Sequence, residues 1–508
     1  MKKSFCLFLA IFLFAWAFAQ IKSPDQFLGY SLGTHFTPHY QVVNYFRYIA
    51  DAVPNQVKLK QYGTTNEGRP LLTVFISNAE NISNLEEIRE NNMSLAGQFA
   101  GIATTETPVI VWLSYNIHGN EAASTEAAMK MLYSLVDPSD ADSKKWLQNT
   151  VVIIDPCMNP DGRDRYVNWY NSIAGKQVDV QSWARIHREP WPGGRTNHYN
   201  YDLNRDWVWQ TQKESKARVA AYNQWLPQVH VDFHEQGFNS PYYFAPGAQP
   251  YHEVITQWQR DFQKTIGKNN ARHFDEHGWY FFTGEAFDLL YPSYGDTYPL
   301  YNGAIGMTYE QGGIGAGLGI ETNSGDTLTL MDRLMHHYTT GRSTVEIASQ
   351  NAAQLLQQYK TYFDDAFAGK IGTYKTYVIK NTAENAQQIE SLRKLLDQNG
   401  IKYGTSSGNS TGFNYATKKD ESFSVSEGDL VVGAQQARSV LVKVLFEPET
   451  MLVDSVTYDI TAWSLPYAYG LTAYATRQAL KVSDYVAPAT VSTVTASSYG
   501  YAIKWEGM

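Results

Sequence analysis

The feature that most restricts the fold of this chain is a series of apolar runs rich in β-branched residues, separated by stretches of strong helix formers. Thr107–Tyr115 (TPVIVWLSY) has no polar face to offer solvent, so it reads as a strand buried on both sides. Glu121–Leu135 (EAASTEAAMKMLYSL) contains neither Gly nor Pro and reads as a helix. Val151–Asp155 is a second buried strand and Gln228–His234 (QVHVDFH) a third. Ahead of them stand a helix (YQVVNYFRYIADAV), a strand (QVKLKQYG), the turn TNEGRP and another strand (LLTVFIS). Strands alternating with helices in this way predict an α/β domain with a mixed, mostly parallel sheet flanked by helices, closing with a helix near Met331–Gln358. From Lys375 the pattern restarts as strand TYVIK, helix ENAQQIESLRKLLDQNG and strand IKYG, which predicts a second, smaller α/β domain. The expected units are therefore residues 20–365 and 373–485, with 486–508 reading as the start of a further strand-rich region that breaks off short.

The ends and the charge bound the setting. Lys2 and Lys3 precede an apolar run from Cys6 through Phe18, and Ala17-Phe18-Ala19 offers the small residues a signal peptidase reads. The run falls short of the roughly 20 residues that span a bilayer, so residues 1–19 read as a cleaved signal peptide. The expectation is a secreted or periplasmic protein with no stable membrane insertion. A formal charge of −9 argues against a nucleic-acid partner, which calls for a basic patch. Of the 2 cysteines, Cys6 leaves with the leader. Cys157, in VVIIDPCMNP, reads as a small buried hydrophobe. Any metal must then be held by His and carboxylate.

Chemistry concentrates at the C-terminal ends of the buried strands, where open α/β sheets build their sites. N-I-H-G-N-E at 116–121 places His118 and Glu121 three apart between a strand and a helix, a spacing at which imidazole and carboxylate can reach one zinc ion. In QVHVDFHEQG, strand periodicity puts His230, Asp232 and His234 on one face, so geometry alone does not choose between the histidines. His234 lies level with the expected site and is the ligand chosen; His230 begins the strand. N-P-D-G at 159–162 follows the second strand, and D-L-N-R at 202–205 offers Asn204 and Arg205, a pair suited to a substrate carboxylate. G-M-T-Y-E-Q-G-G at 306–313 sets Glu310 at the end of a strand-like run, a position suited to a general base.

The order H-x-x-E, N-P-D-G, D-L-N-R, strand-borne His and strand-borne Glu resembles the zinc metallocarboxypeptidases of the carboxypeptidase A type, over about residues 40–345. The resemblance implies that His118, Glu121 and His234 hold one zinc ion and that Asp202 orients the first histidine. It implies further that Asn204 and Arg205 hold the terminal carboxylate of a peptide, Arg195 stabilises the oxyanion, and Glu310 is the catalytic glutamate. Arg188 matches the family arginine less well. The family's mobile tyrosine falls among Tyr294, Tyr298 and Tyr301. With the leader, the resemblance implies an exported exopeptidase of bacterial type that removes C-terminal residues from peptides with a free carboxylate. H-G-N-E is also similar to the motif of the aspartoacylase and succinylglutamate-desuccinylase branch, zinc amidohydrolases of N-acyl amino acids; N-P-D-G and the leader favour the peptidase. A catalytically inactive, peptide-binding relative would have lost a ligand or the glutamate, and each matched position here is filled. The second unit carries no cluster of His, Cys or paired carboxylates, so its expected role is structural or one of substrate access, packed against the first unit.

Overall fold

The central strands of the first unit bury both of their faces because alternate residues enter two different cores. The computed structural model describes residues 21–101, 103–452 and 463–485. In chain order its first strands are β1 (Val57–Thr64), β2 (Pro70–Ile76), β3 (Val109–Tyr115), β4 (Thr150–Asp155), β5 (Val229–Gly237), β6 (Tyr242–Tyr243), β7 (Ala248–Tyr251), β8 (Phe281–Phe282), β9 (Asp288–Leu289) and β10 (Ile305–Ile314). Eight of them form one sheet in the order β1-β2-β4-β3-β5-β10-β6-β8, and β7 pairs with β9 apart from it. The central strands β4, β3, β5 and β10 run parallel, while β1, β2 and β6 join antiparallel. This is the mixed, mostly parallel sheet that the alternating pattern implies.

Val111, Leu113 and Tyr115 of β3 point into a core shared with the helices His39–Ala52, Ala123–Val136 and Leu330–Gln350. Ile110 and Trp112 point the other way, into a core with Trp207, Tyr222, Tyr298 and Leu356. That second core continues without a break into Ile389, Leu392 and Leu396 of the helix Ala386–Gln398.

After the short ribbon of β11 (Gly319–Glu321) and β12 (Thr327–Thr329), and the helix Ala352–Phe367, a second sheet begins. Its strands are β13 (Thr376–Ile379), β14 (Gly404–Thr405), β15 (Gly408–Asn414), β16 (Lys419–Val425), β17 (Leu430–Gly433), β18 (Ala473–Thr476) and β19 (Ser483–Asp484). The order is β16-β15-β18-β13-β17-β14-β19, with every pairing antiparallel. Helix Ala386–Gln398 therefore does not cross between neighbouring parallel strands: β17 is inserted between β13 and β14. Asn399, at the end of that helix, accepts a hydrogen bond from the Tyr298 hydroxyl (3.0 Å) and donates to the Val208 carbonyl (3.0 Å). Arg438 donates to Asn302 and to Asn223 Oδ1, and His252 Nε2 lies 2.8 Å from Glu447 Oε1. Among the described residues no helix is long and apolar enough to cross a membrane. Residues 1–19, expected to be a cleaved leader, and residues 486–508 lie outside the described residues.

Candidate metal centre and catalytic cleft

Where β3 ends, the chain must turn sharply before helix Ala123–Val136 starts. Asn116 makes that turn with φ of 61°, a left-handed conformation that Asn tolerates better than most residues. Its side-chain amide donates to the carbonyls of His118 (2.7 Å) and Glu121 (2.9 Å), fixing the loop from inside. Gly119 is required by close approach: a Cβ there would lie 2.1 Å from the backbone nitrogen of Arg163. The loop thus sits directly on the N-P-D-G turn, and it aims His118 and Glu121 at the same point.

The third side chain comes from β5. His234 Nδ1 is 2.9 Å from Glu121 Oε2 and 3.1 Å from His118 Nδ1, and His118 Nδ1 is 2.7 Å from Glu121 Oε1. All three residues are buried. His230 lies lower on the same face, with Nε2 3.0 Å from Ser114 Oγ, and takes no part in the cluster. Glu310 is the register partner of His234 across the parallel β5–β10 pair, which brings it to the same cleft.

The D-L-N-R turn closes another side. Asp202 Oδ1 is 3.0 Å from His118 Nε2, while Asp202 Oδ2 accepts from Arg195 Nη2 at 2.9 Å. Asn204 places Nδ2 3.0 Å from His234 Nε2 and accepts from Gly295 N–H through Oδ1 at 2.8 Å. The Arg205 guanidinium stacks over the Tyr294 ring, 4.6 Å from its centroid. His118, Glu121, Arg195, Arg205, Tyr294 and Glu310 line one cleft of about 400 Å³.

Tyr298 is not part of it. Its ring is fully buried beside Trp207, with centroids 5.7 Å apart, and its hydroxyl is bound to Asn399. Tyr298 belongs to the helical turn Thr297–Leu300, all four residues of which are buried, whereas Tyr294 lies before that turn, in the wall of the cleft. Tyr301 is likewise buried, donating to the Leu290 carbonyl at 2.7 Å.

Two supporting residues escaped the sequence reading. Asp232 Oδ2 is 2.9 Å from His234 Nε2. Glu235 donates its backbone N–H to Glu121 Oε2 (2.9 Å), while its buried carboxylate accepts from the Ala123 N–H and from Arg333. Asp232 was visible in the alternation of QVHVDFH, and Glu235 as the residue after His234; nothing in the sequence showed what either would touch.

Charge is distributed as a cation site requires. Burial opposes ionisation of Glu121, but His118 and His234 hold its carboxyl well below the usual range. Burial also opposes ionisation of Asp202, and His118, Arg195 and Arg205 overcome it. Glu310 differs: burial, with Glu121 and Asp232 adding repulsion, pushes its carboxyl up to about 8 against the pull of His234 and Arg195. A carboxyl poised near neutrality can accept a proton and return it. The donors of His118, Glu121 and His234 lie within 4.8 Å of one another. Two imidazole nitrogens and a carboxylate oxygen, each histidine backed at its other nitrogen by a carboxylate, are a donor set that fits zinc with a position left open.

Residues 42–425 match the family model described as zinc carboxypeptidase. The chain belongs to the zinc carboxypeptidase family. The match to the zinc carboxypeptidases runs past the first sheet and takes in β13 to β16 of the second. Carboxypeptidase D of Drosophila melanogaster is 26% identical over 188 residues, which are 37% of this chain and 11% of that much longer protein. Among solved structures, a metallo-carboxypeptidase from Burkholderia cenocepacia is similar with a TM-score of 0.43 and 14% identity, over 61% of this chain and 69% of that one. Carboxypeptidase A from Helicoverpa armigera is similar with a TM-score of 0.41 and 17% identity, over 69% of this chain and 81% of its own.

Proposed function

We propose that this protein is a zinc-dependent exopeptidase that hydrolyses the C-terminal residue from peptides. The observation that carries the reading is the convergence of His118, Glu121 and His234, with contacts of 2.7–3.1 Å, opposite Glu310 in a cleft that also holds Arg195 and Arg205. Zinc bound by those three residues would supply Lewis-acid chemistry, acidifying a water and polarising a carbonyl. Glu310, with its raised pKa, takes the proton of the attacking water and returns it to the leaving amine. Arg195 neutralises the oxyanion that develops, and Asp202 fixes the guanidinium for that task. Asn204 and Arg205 bind the free carboxylate of the substrate, and Tyr294, stacked under Arg205, borders the same subsite. The second sheet acts as an accessory unit that braces the cleft from behind through Asn399 and Arg438. The basic pair and apolar run at the N-terminus support export to the periplasm or beyond.

The test compares a peptide with a free C-terminus with its C-terminal amide, each with and without a metal chelator. Release of the last residue from the free peptide alone, abolished by chelator and restored by zinc, is the expected outcome. Equal cleavage of the amide, or turnover indifferent to chelation, refutes the reading.

A further inference from the structure

We infer that Asp232 is the residue that orients His234 for metal binding, and that Gly295 is a glycine because that carboxylate occupies the space of its side chain. The inference rests on the zinc reading of the site and adds a positioning residue to it.

The argument starts from register. Asp155 of β4, Ser114 of β3, Asp232 of β5 and Thr308 of β10 are successive partners across four neighbouring strands. All four are polar and buried, in the middle of a sheet whose other rows are mostly apolar. This row lies one step, two residues, below the row that holds His234 and Glu310, on the same face. A carboxylate with no exposure at that depth is costly unless an opposite charge or donor meets it. Among the described residues neither Asp232 oxygen makes a hydrogen bond, and the group its carboxylate faces is the His234 imidazole, whose Nε2 stands 2.9 Å from Oδ2.

His234 Nε2 has a second neighbour, the Asn204 amide nitrogen at 3.0 Å, and chemistry decides between them. When Nδ1 gives its lone pair to a metal, the one proton of the neutral ring sits on Nε2, which becomes a donor only. The Asn204 NH2 group is a donor as well, so it cannot hold the ring in that state. Asp232 can, because a carboxylate accepts. Asn204 keeps its own anchor, the Gly295 N–H on its Oδ1, and its amide is released to face the substrate carboxylate.

Gly295 is tied to the same carboxylate. A Cβ at position 295 would lie 2.0 Å from Asp232 Oδ2 and 2.7 Å from its Cγ, far inside van der Waals contact. No left-handed backbone calls for a glycine here; the space does. The two ligand histidines are then braced alike, His118 through Asp202 on the cleft side and His234 through Asp232 from within the sheet. Both present Nδ1 inward.

Zinc affinity of the full chain, measured by competition with a chelator, tests this for the wild type, Asp232→Asn, Asp202→Asn and His234→Ala, with visible spectra of the cobalt-substituted proteins. Removal of a carboxylate behind a ligand histidine typically costs about 10–100-fold in metal affinity, and that loss with an altered cobalt spectrum is expected for Asp232→Asn as for Asp202→Asn. Wild-type affinity and an unchanged cobalt spectrum in Asp232→Asn, beside a loss in His234→Ala, overturn this inference and leave the zinc reading intact. Absence of zinc uptake by the wild type overturns both. If Asp232→Asn does not fold, Gly295→Ala decides, because its methyl group must displace the carboxylate: a folded Gly295→Ala protein with wild-type affinity overturns the assignment.

Discussion

Asn399→Ala is a direct probe of how the second sheet serves the first. Asn399 is fully buried, and its side chain joins Tyr298 and Val208, both buried as well, across the boundary between the two units. Truncation strips the acceptor from the Tyr298 hydroxyl and the donor from the Val208 carbonyl. A buried polar group left unsatisfied costs about 1–3 kcal/mol, so the two together cost about 2–6 kcal/mol. Tyr298→Phe removes only the hydroxyl and is expected to cost about 1 kcal/mol. Because the two side chains share a bond, the double variant should depart from additivity by about 0.5–3 kcal/mol. Urea unfolding followed by tryptophan fluorescence reads this directly, since Trp207 packs on Tyr298. The unbroken core between the units further implies one cooperative transition. An Asn399→Ala protein within about 0.5 kcal/mol of wild type, or unfolding in two separate steps, would refute the claim that the second unit braces the cleft.

Two further outcomes follow from the chemistry of single carboxylates. Glu310→Gln should lower kcat by about 100- to 10,000-fold while zinc content, measured by metal analysis, stays at the wild-type level; loss of zinc would make Glu310 a ligand and not a base. Asp155 is fully buried, and burial raises its carboxyl from 3.8 to about 7. The folded state therefore binds the proton more tightly than the unfolded chain, so this group's contribution is full below pH 4 and is lost as pH rises to 7, by about 4 kcal/mol. Asp155→Asn should flatten the stability profile over that window, and a profile unchanged from wild type by pH-dependent urea titration would refute the shift.

How much of this was legible from sequence divides along physical lines. The buried strands could be read because a strand with both faces in a core must be largely apolar, and TPVIVWLSY and VVIID are, with Ser114 and Asp155 the polar exceptions near their ends. His234 could be preferred over His230 because a site at the strand ends needs the residue at the end. Tyr298 misled because nothing in the sequence says that a tyrosine there enters a short helix packed wholly into the core, while Tyr294, four residues earlier, stays in the loop that lines the cleft. In the second unit, Gly408–Asn414 and Lys419–Val425 form a long hairpin, yet their Ser, Thr, Asn and Gly content left no apolar period to read. Asp232 stood in plain view, but its role depends on where Asn204 and Gly295 return in space, and only the fold brings those together.

The strand order of the second sheet also sets a timetable for synthesis. β18 (Ala473–Thr476) pairs with β13 on one side and β15 on the other, so one of the last strands made lies between two of the first. A ribosome that has released β13 to β17 has produced a sheet with a gap in its middle: the hairpin of β15 and β16 cannot join β13 until residue 476 has emerged. During that interval the pairing edges of β13 and β15 are open, and open edges recruit other strands. Whatever escorts the nascent chain must keep those two edges apart from foreign partners until the wedge arrives.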